Sequence, residues 1–98
     1  MNMREIQKMQ QKLMKLQEEL EAKQFTGTAG GGAVTITMSG KFEITGVKID
    51  PEAFTPEDIV DLEVMVKAAA KDAFDKATDA QQKLVGAATG GMRIPGLF

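Results

Sequence analysis

The 98-residue chain contains no cysteine, histidine, tryptophan or tyrosine. Without cysteine it can form no disulfide, thiolate nucleophile or cysteine-based metal site, and it fits a reducing compartment without requiring one. Without histidine it lacks the commonest general base and the commonest transition-metal ligand. No apolar run approaches the roughly 20 residues that a bilayer-spanning helix needs, and the amphipathic first 15 residues are unlike a signal peptide. We therefore expect no enzyme, no metal or other cofactor, no small-molecule substrate and no membrane span.

The clearest pattern in what remains is a strand pattern in residues 32–50. Val34, Ile36 and Met38 alternate with threonine and serine, which is the period of a strand with one buried face. Turn residues follow at 39–41, and the alternation resumes at Phe42. It slips by one residue at 45–46, as a β-bulge does when it keeps later side chains aimed at the same core. We predict a bulged antiparallel hairpin over residues 33–49.

A third strand is expected before this hairpin. Phe25 stands among threonines in residues 24–29, and a run of three glycines then turns the chain. The glycine run lacks the lysine and serine or threonine of a phosphate-binding loop and leads into a strand, so a turn is the favoured interpretation. The sheet is thus expected to occupy residues 24–50.

A first helix is expected over residues 2–23. Its apolar residues are spaced 3, 4, 3 and 4 apart, which is the seam of a coiled coil; they are Ile6, Met9, Leu13, Leu16 and Leu20. The seam is shorter than three heptads, so a single amphipathic helix packed on the sheet is the alternative.

A longer helix is expected over residues 55–86. Thr55, Pro56 and Asp58 form a helix start, and Gly86 is the expected stop. Thirty helical residues span roughly 45 Å, whereas a compact domain of this size has a radius of gyration near 13 Å. Part of the helix should therefore project or be covered by another chain. The alanines at 68–70, 73 and 77 favour close helix–helix approach, and the hairpin edges need partners, so we predict a homodimer.

The first helix also carries a row of cations. Arg4, Lys8, Lys12 and Lys15 fall within an arc of roughly 80°, opposite the apolar seam. Residues 1–15 contain these four basic residues and one acid, although the whole chain has a formal charge of −2. Such a row can bind phosphates by displacing counterions from a polyanion. The alternative is a solvated helix face.

Five segments together resemble the YbaB/EbfC family of small bacterial nucleoid-associated proteins: residues 9–15, 29–34, 46–52, 68–80 and 89–98. The resemblance covers essentially the whole chain. It implies an α+β fold with an N-terminal helix, a three-stranded antiparallel sheet and a long C-terminal helix, in a tweezer-like homodimer joined through the sheets. It also implies DNA binding in the bacterial cytoplasm and nucleoid.

The sequence therefore predicts one non-enzymatic domain, residues 1–98, that binds duplex DNA mainly through phosphates, with a flexible tail at 87–98. The expected DNA contacts are Arg4, Lys8, Lys12 and Lys15. The expected core and dimer residues are Ile6, Met9, Leu13, Leu16, Leu20, Val34, Ile36, Met38, Val47 and Ile49. A second hypothesis is a protein-interaction module whose apolar residues 94–98 dock on a replication or repair protein, with incidental DNA binding.

Overall fold

The computed structural model describes residues 2–88, with side chains to residue 86. Helix α1 is Met3–Ala22, and strands β1, β2 and β3 are Gln24–Ala29, Val34–Ser39 and Ile44–Ile49. Two 3₁₀ turns, Pro51–Ala53 and Pro56–Asp58, lead into helix α2, Ile59–Ala88. The predicted α+β order of helix, three antiparallel strands and long helix is confirmed. Of the predicted tail, residues 87 and 88 end α2, and residues 89–98 lie outside the described part of the chain.

The predicted bulge is present in β3. Thr37 of β2 pairs with Gly46 and Met38 pairs with Ile44, so Thr45 is the extra residue that has no partner across the ladder. The Thr45 hydroxyl instead donates hydrogen bonds to the Gln24 side chain at 2.6 Å and to the Thr37 carbonyl at 3.3 Å. The bulge keeps the apolar residues of β3 on the same sheet face as those of β2.

The turn between β2 and β3 is longer than the sequence predicts. Phe42 was expected in the second strand, but its φ of 65° places it in the left-handed region, inside the turn. The Ser39 hydroxyl oxygen accepts hydrogen bonds from the backbone N–H groups of Lys41 and Glu43. The Phe42 N–H donates to the Ser39 carbonyl at 2.9 Å. Ser39 thus stabilises a reversal that strand periodicity alone does not reveal.

The core lies between α2 and one face of the sheet. Val34, Ile36 and Met38 of β2 are buried there against an alanine row at 69, 73 and 77. A Cβ added to Gly27 of β1 would collide with backbone atoms of Ala69 and Ala73. The small residues therefore allow the helix backbone to approach the sheet closely. The expectation that these alanines mediate helix–helix contact was wrong, because they pack on the chain's own sheet.

The outer edge of β1 is occupied by side chains of α2. The Thr28 N–H donates a hydrogen bond to an Asp72 carboxylate oxygen at 3.1 Å. The Lys76 ammonium donates to the Thr26 carbonyl at 2.8 Å and lies 3.3 Å from Asp72. The hydrogen bond from Thr28 is the main cause that holds the pKa of Asp72 below its ordinary value, and the hydrogen bond and charge of Lys76 lower this pKa further. Two backbone groups that could bind another strand are thereby already satisfied.

Helix α2 begins and ends later than its sequence signals indicate. The Thr55 N–H and hydroxyl both donate to the Asp58 carboxylate, at 2.9 and 3.0 Å, and hold its pKa below the ordinary value. The expected start thus forms a 3₁₀ turn, and the regular α-helix begins at Ile59. Gly86 was expected to stop the helix, but α2 continues to Ala88. A glycine inside a helix costs only about 1 kcal/mol, which neighbouring turns can offset.

Candidate nucleic-acid interface

Helix α1 is attached to the rest of the chain by its C-terminal turns. Leu20 is buried, and its carbonyl lies so close to Gly40 that a Cβ there would collide with it. The Gly40 N–H donates to the Lys23 carbonyl at 3.2 Å, which ties the end of the helix to the turn after β2. Clefts between α1 and α2 are lined by Leu16 and Leu20 with Ala80 and Leu84, and by Leu13 with Leu84. The two helices therefore run antiparallel.

The first half of α1 projects from this attachment. All residues from 2 to 15 are exposed, and the longest dimension of the molecule is 65 Å. The side chain of Asn2 accepts a hydrogen bond from the Glu5 N–H at 2.9 Å and caps the N-terminus. Such a cap stabilises a helix by about 1 kcal/mol. A helix held at one end and capped at the other can present its surface to a large partner.

The four predicted DNA-binding cations lie on this projecting segment. Arg4, Lys8, Lys12 and Lys15 are all exposed. No ion pair joins them to any acid among residues 2–88. From Arg4 to Lys15 the helix rises roughly 16 Å. Cations near a helix N-terminus oppose the macrodipole, so Arg4 and Lys8 gain no stabilisation from their place on the helix.

The lysines of α2 are placed differently. Lys71, Lys76 and Lys83 form ion pairs with acids four residues away, at 2.7, 3.3 and 2.9 Å. The latter two pairs are with Asp72 and Asp79. Asp75 raises the pKa of Lys71, through a hydrogen bond first and its charge second. Among the described residues, α2 thus has one lysine without an ion pair, Lys67, whereas all four cations of α1 lack one.

The predicted core and dimer residues divide into two groups. Buried or half-buried within this chain are Leu16, Leu20, Val34, Ile36 and Met38. Exposed are Ile6, Met9 and Leu13 on α1 and Val47 and Ile49 on β3. The sequence cannot separate the two groups, because the same apolar periodicity serves both a core and an interface between chains.

The exposed face of β3 continues the buried face of β2. Val34 pairs with Ile49, Ile36 with Val47 and Met38 with Ile44, so each pair shares one side of the sheet. The β2 members are buried, whereas Ile44, Val47 and Ile49 are 56%, 54% and 40% exposed. Helix α2 covers β1 and β2 and leaves the β3 side open.

Sequence reasoning missed further exposed apolar residues, in the turn before β3 and on α2. The rings of Phe42 and Phe74 lie 5.3 Å apart and are both exposed, at one end of this open strip. Ile59, Val60 and Val64 are exposed on the first turns of α2. Phe42 contacts Phe74 from inside the turn, where its φ is 65°, and strand periodicity does not reveal that turn.

Neither a metal site nor a membrane helix is found in the described part. Among residues 2–88 no three histidine, cysteine, aspartate or glutamate side chains are grouped to hold a metal ion. Within the same residues no helix is both long and apolar enough to cross a membrane.

Comparison with known proteins identifies the family to which this chain belongs. Residues 1–92 match the model of the YbaB/EbfC DNA-binding family. The chain therefore belongs to the YbaB/EbfC DNA-binding family, as the sequence resemblance predicted. The description of the family names DNA binding and no reaction.

Individual relatives match over nearly their full length. The chain is 46% identical over 96 residues to a nucleoid-associated protein of Pelotomaculum thermopropionicum, covering 98% of this chain and 91% of the relative. It is 42% identical over 97 residues to a nucleoid-associated protein of Dictyoglomus turgidum, covering 98% and 93%. The crystal structure of an uncharacterized protein from Helicobacter pylori shares the fold, with a TM-score of 0.76 at 20% identity over 92% of this chain and 99% of the other.

Proposed function

We propose that this chain is a nucleoid-associated protein that binds duplex DNA mainly through the phosphates, using Arg4, Lys8, Lys12 and Lys15. The observation that carries the proposal is that these four cations are exposed on a projecting helix, without an acid partner among residues 2–88. The chain belongs to a family described as DNA-binding, and its relatives are named nucleoid-associated proteins. Both facts favour DNA as the polyanion that these cations bind. The same relatives support a location at the bacterial nucleoid, in the cytoplasm.

The chemistry of the row favours phosphates over bases. Each strand of duplex DNA carries one phosphate per about 3.4 Å of axis, so a row of roughly 16 Å can follow a short stretch of backbone. Lysine is a point charge on a flexible stem and carries little base specificity. Contacts to phosphate position a protein without reading sequence. Little sequence preference therefore follows from the proposal.

We further propose that two copies associate through β3 and the adjoining side of α2. The apolar residues Ile44, Val47 and Ile49 continue the core face of the sheet but are exposed in one chain. Phe74 of α2 contacts Phe42, in the turn that leads into β3. A second copy offers the same strip, as a twofold interface requires. Two projecting α1 helices would then bind one duplex as a pair.

The DNA proposal is tested with a charge-neutralising variant. Arg4, Lys8, Lys12 and Lys15 are changed to glutamine, and binding to a random-sequence fluorescent duplex is measured by anisotropy at low and moderate salt. We expect loss of binding with little change in melting temperature, because the four side chains are exposed. The control changes four exposed lysines elsewhere, Lys41, Lys48, Lys67 and Lys83, to glutamine. Unchanged binding in the α1 variant would reject the assignment.

The dimer proposal has a separate test. A charge at the centre of the apolar strip, Val47→Asp, should convert the dimer into a folded monomer in sedimentation equilibrium. The neighbouring Lys48 lies on the opposite face of the sheet, and Lys48→Asp should leave the dimer intact. A wild-type chain that sediments as a monomer at high concentration would disprove the pairing while leaving the role of the cations open.

A further inference from the structure

A second apolar surface of the chain has no cover within residues 2–88. It lies on the first three turns of α1, consists of Met3, Ile6, Met9 and Leu13, and is called here the α1 row. The row continues the face that carries Leu16 and Leu20, which contact α2. It lies on α1, whereas the apolar strip described above, Ile44, Val47 and Ile49, lies on β3. An amphipathic helix normally buries such a stripe, so the α1 row calls for an occupant.

Within residues 2–88, α2 reaches only partway along α1. The helices are antiparallel: Leu20 and Leu16 share a cleft with Ala80 and Leu84, and Leu13 shares one with Leu84. The last described residue of α2, Ala88, lies about one turn beyond Leu84. The turns that carry Met3 and Ile6 therefore extend past this residue.

The last described turns of α2 lie beside the C-terminal end of the row, at Leu13. A cleft of about 290 Å³ lies there, with Leu13, Met14 and Gln17 of α1 forming one side. Its exposed lining is chiefly apolar, which suits the insertion of a large apolar side chain. The position of this cleft makes the segment after Ala88 the nearest part of the same chain that could fill it.

The remaining segment has the length and composition to cover the row. Residues 89–98 number ten, and a ten-residue segment can reach about 33 Å. The row from Met3 to Leu13 rises only about 15 Å. The segment contains the large apolar residues Met92, Ile94, Leu97 and Phe98. Gly90 and Gly91 precede them, and glycine accepts the backbone angles that a reversal of direction requires.

We propose that residues 89–98 turn back along α1 of the same chain and bury the α1 row, starting from the cleft at Leu13. The contact is apolar on both sides and uses the face opposite the four cations. The basic row thus stays exposed, and the proposal stands whether or not those cations bind DNA. By covering the row, the segment adds packing to the part of α1 that α2 does not reach and so stiffens the projecting helix.

Disulfide trapping in the 98-residue chain tests this placement, because its sequence has no cysteine to compete. One variant carries Met9→Cys and Ile94→Cys, which joins the row to the segment. The matched control carries Gln11→Cys and Ile94→Cys, since Gln11 is exposed two residues further on and points away from the row. Oxidation is followed on non-reducing gels, and the linked peptides are identified by mass spectrometry.

We expect the Met9–Ile94 pair to close within one chain, at least about tenfold faster than the control and at a rate independent of protein concentration, as docking raises the effective concentration of the two thiols. Equal rates for the two pairs would overturn the proposal, since the segment would then have no preferred face. Links formed only between chains would also overturn it, and would assign the row to a second copy. If the first variant fails to fold by circular dichroism, Ile6→Cys with Leu97→Cys decides by the same criteria.

Discussion

Neutralising one cation in the middle of the basic row should change the salt dependence of DNA binding by a calculable amount. The proposed change is Lys12→Gln. Each phosphate contact contributes about −0.9 to the slope of log K against log salt. A dimer that uses four cations from each helix should therefore show a slope near −7. Losing Lys12 from both copies should reduce its magnitude by about 1.8.

The same reasoning gives the loss of affinity. At 0.15 M salt, releasing one counterion per contact is worth about 1 kcal/mol, so two lost contacts weaken binding by about 2 kcal/mol, or roughly 30-fold. The substitution lies on an exposed helix face, and surface changes of this kind alter stability by less than about 0.5 kcal/mol. The loss should therefore come from binding and not from unfolding.

Anisotropy titrations with a random-sequence duplex at several salt concentrations measure both quantities. The control is Lys71→Gln, which removes the same charge from α2, where Lys71 is paired with Asp75. Its slope should stay within about 0.5 of the wild-type value. Equal changes in the two variants would refute the assignment to α1, because a net-charge effect would explain both. A change of only about 0.9 for Lys12→Gln would show that one helix, not two, contacts the duplex.

Three further predictions concern stability and assembly. Gly27→Ala should lower the free energy of unfolding by about 1–3 kcal/mol, because the added Cβ would meet the backbone of α2. Gly46→Ala has open space around it and should change the free energy of unfolding little. Urea titrations at fixed protein concentration measure both. Ile36→Ala should lower the free energy of unfolding by about 2–5 kcal/mol at any protein concentration. Val47 is the cross-strand partner of Ile36, and Val47→Ala should mainly raise the dimer dissociation constant measured by sedimentation. Asp72 has a lowered pKa in the folded chain, so its stabilising contribution is present above the unfolded-state value near pH 4 and is lost as the pH falls through the folded value. The Asp72→Asn variant should therefore be less stable than wild type at pH 7 and should lose less stability on acidification. Urea titrations at pH 7 and pH 3 measure this, with Asp61→Asn as the control. Parallel pH profiles for wild type and Asp72→Asn would contradict the prediction.

The elements of the fold could be predicted because their signals are local. The alternation at Val34, Ile36 and Met38 and the slip at Thr45 depend on neighbouring residues, and both appear in the structure. The turn at Phe42 could not be predicted in the same way, since it depends on hydrogen bonds to the Ser39 side chain. Local preference also failed at Gly86, where the helix continues.

The candidate site was predictable in position but not in context. The cation row follows from helical geometry once α1 is recognised. Whether acidic side chains lie close enough to pair with these cations depends on tertiary structure. The exposure of Val47 and Ile49 depends on it as well. An apolar face reads identically whether its cover comes from the same chain or from another one. The alanine row of α2 shows the same ambiguity, because small residues permit close approach without specifying the partner.

The hydrogen bonds from Thr28 to Asp72 and from Lys76 to Thr26 bear on how far assembly can proceed. A sheet with two open borders can add copies at both ends and grow without limit. Here two backbone groups on the outer edge of β1 are bonded to α2 side chains, and copies that paired through β3 would carry these occupied edges on the outside. If two copies pair as proposed, strand addition beyond the pair would then be opposed by Asp72 and Lys76, which already bond the outer backbone groups of β1.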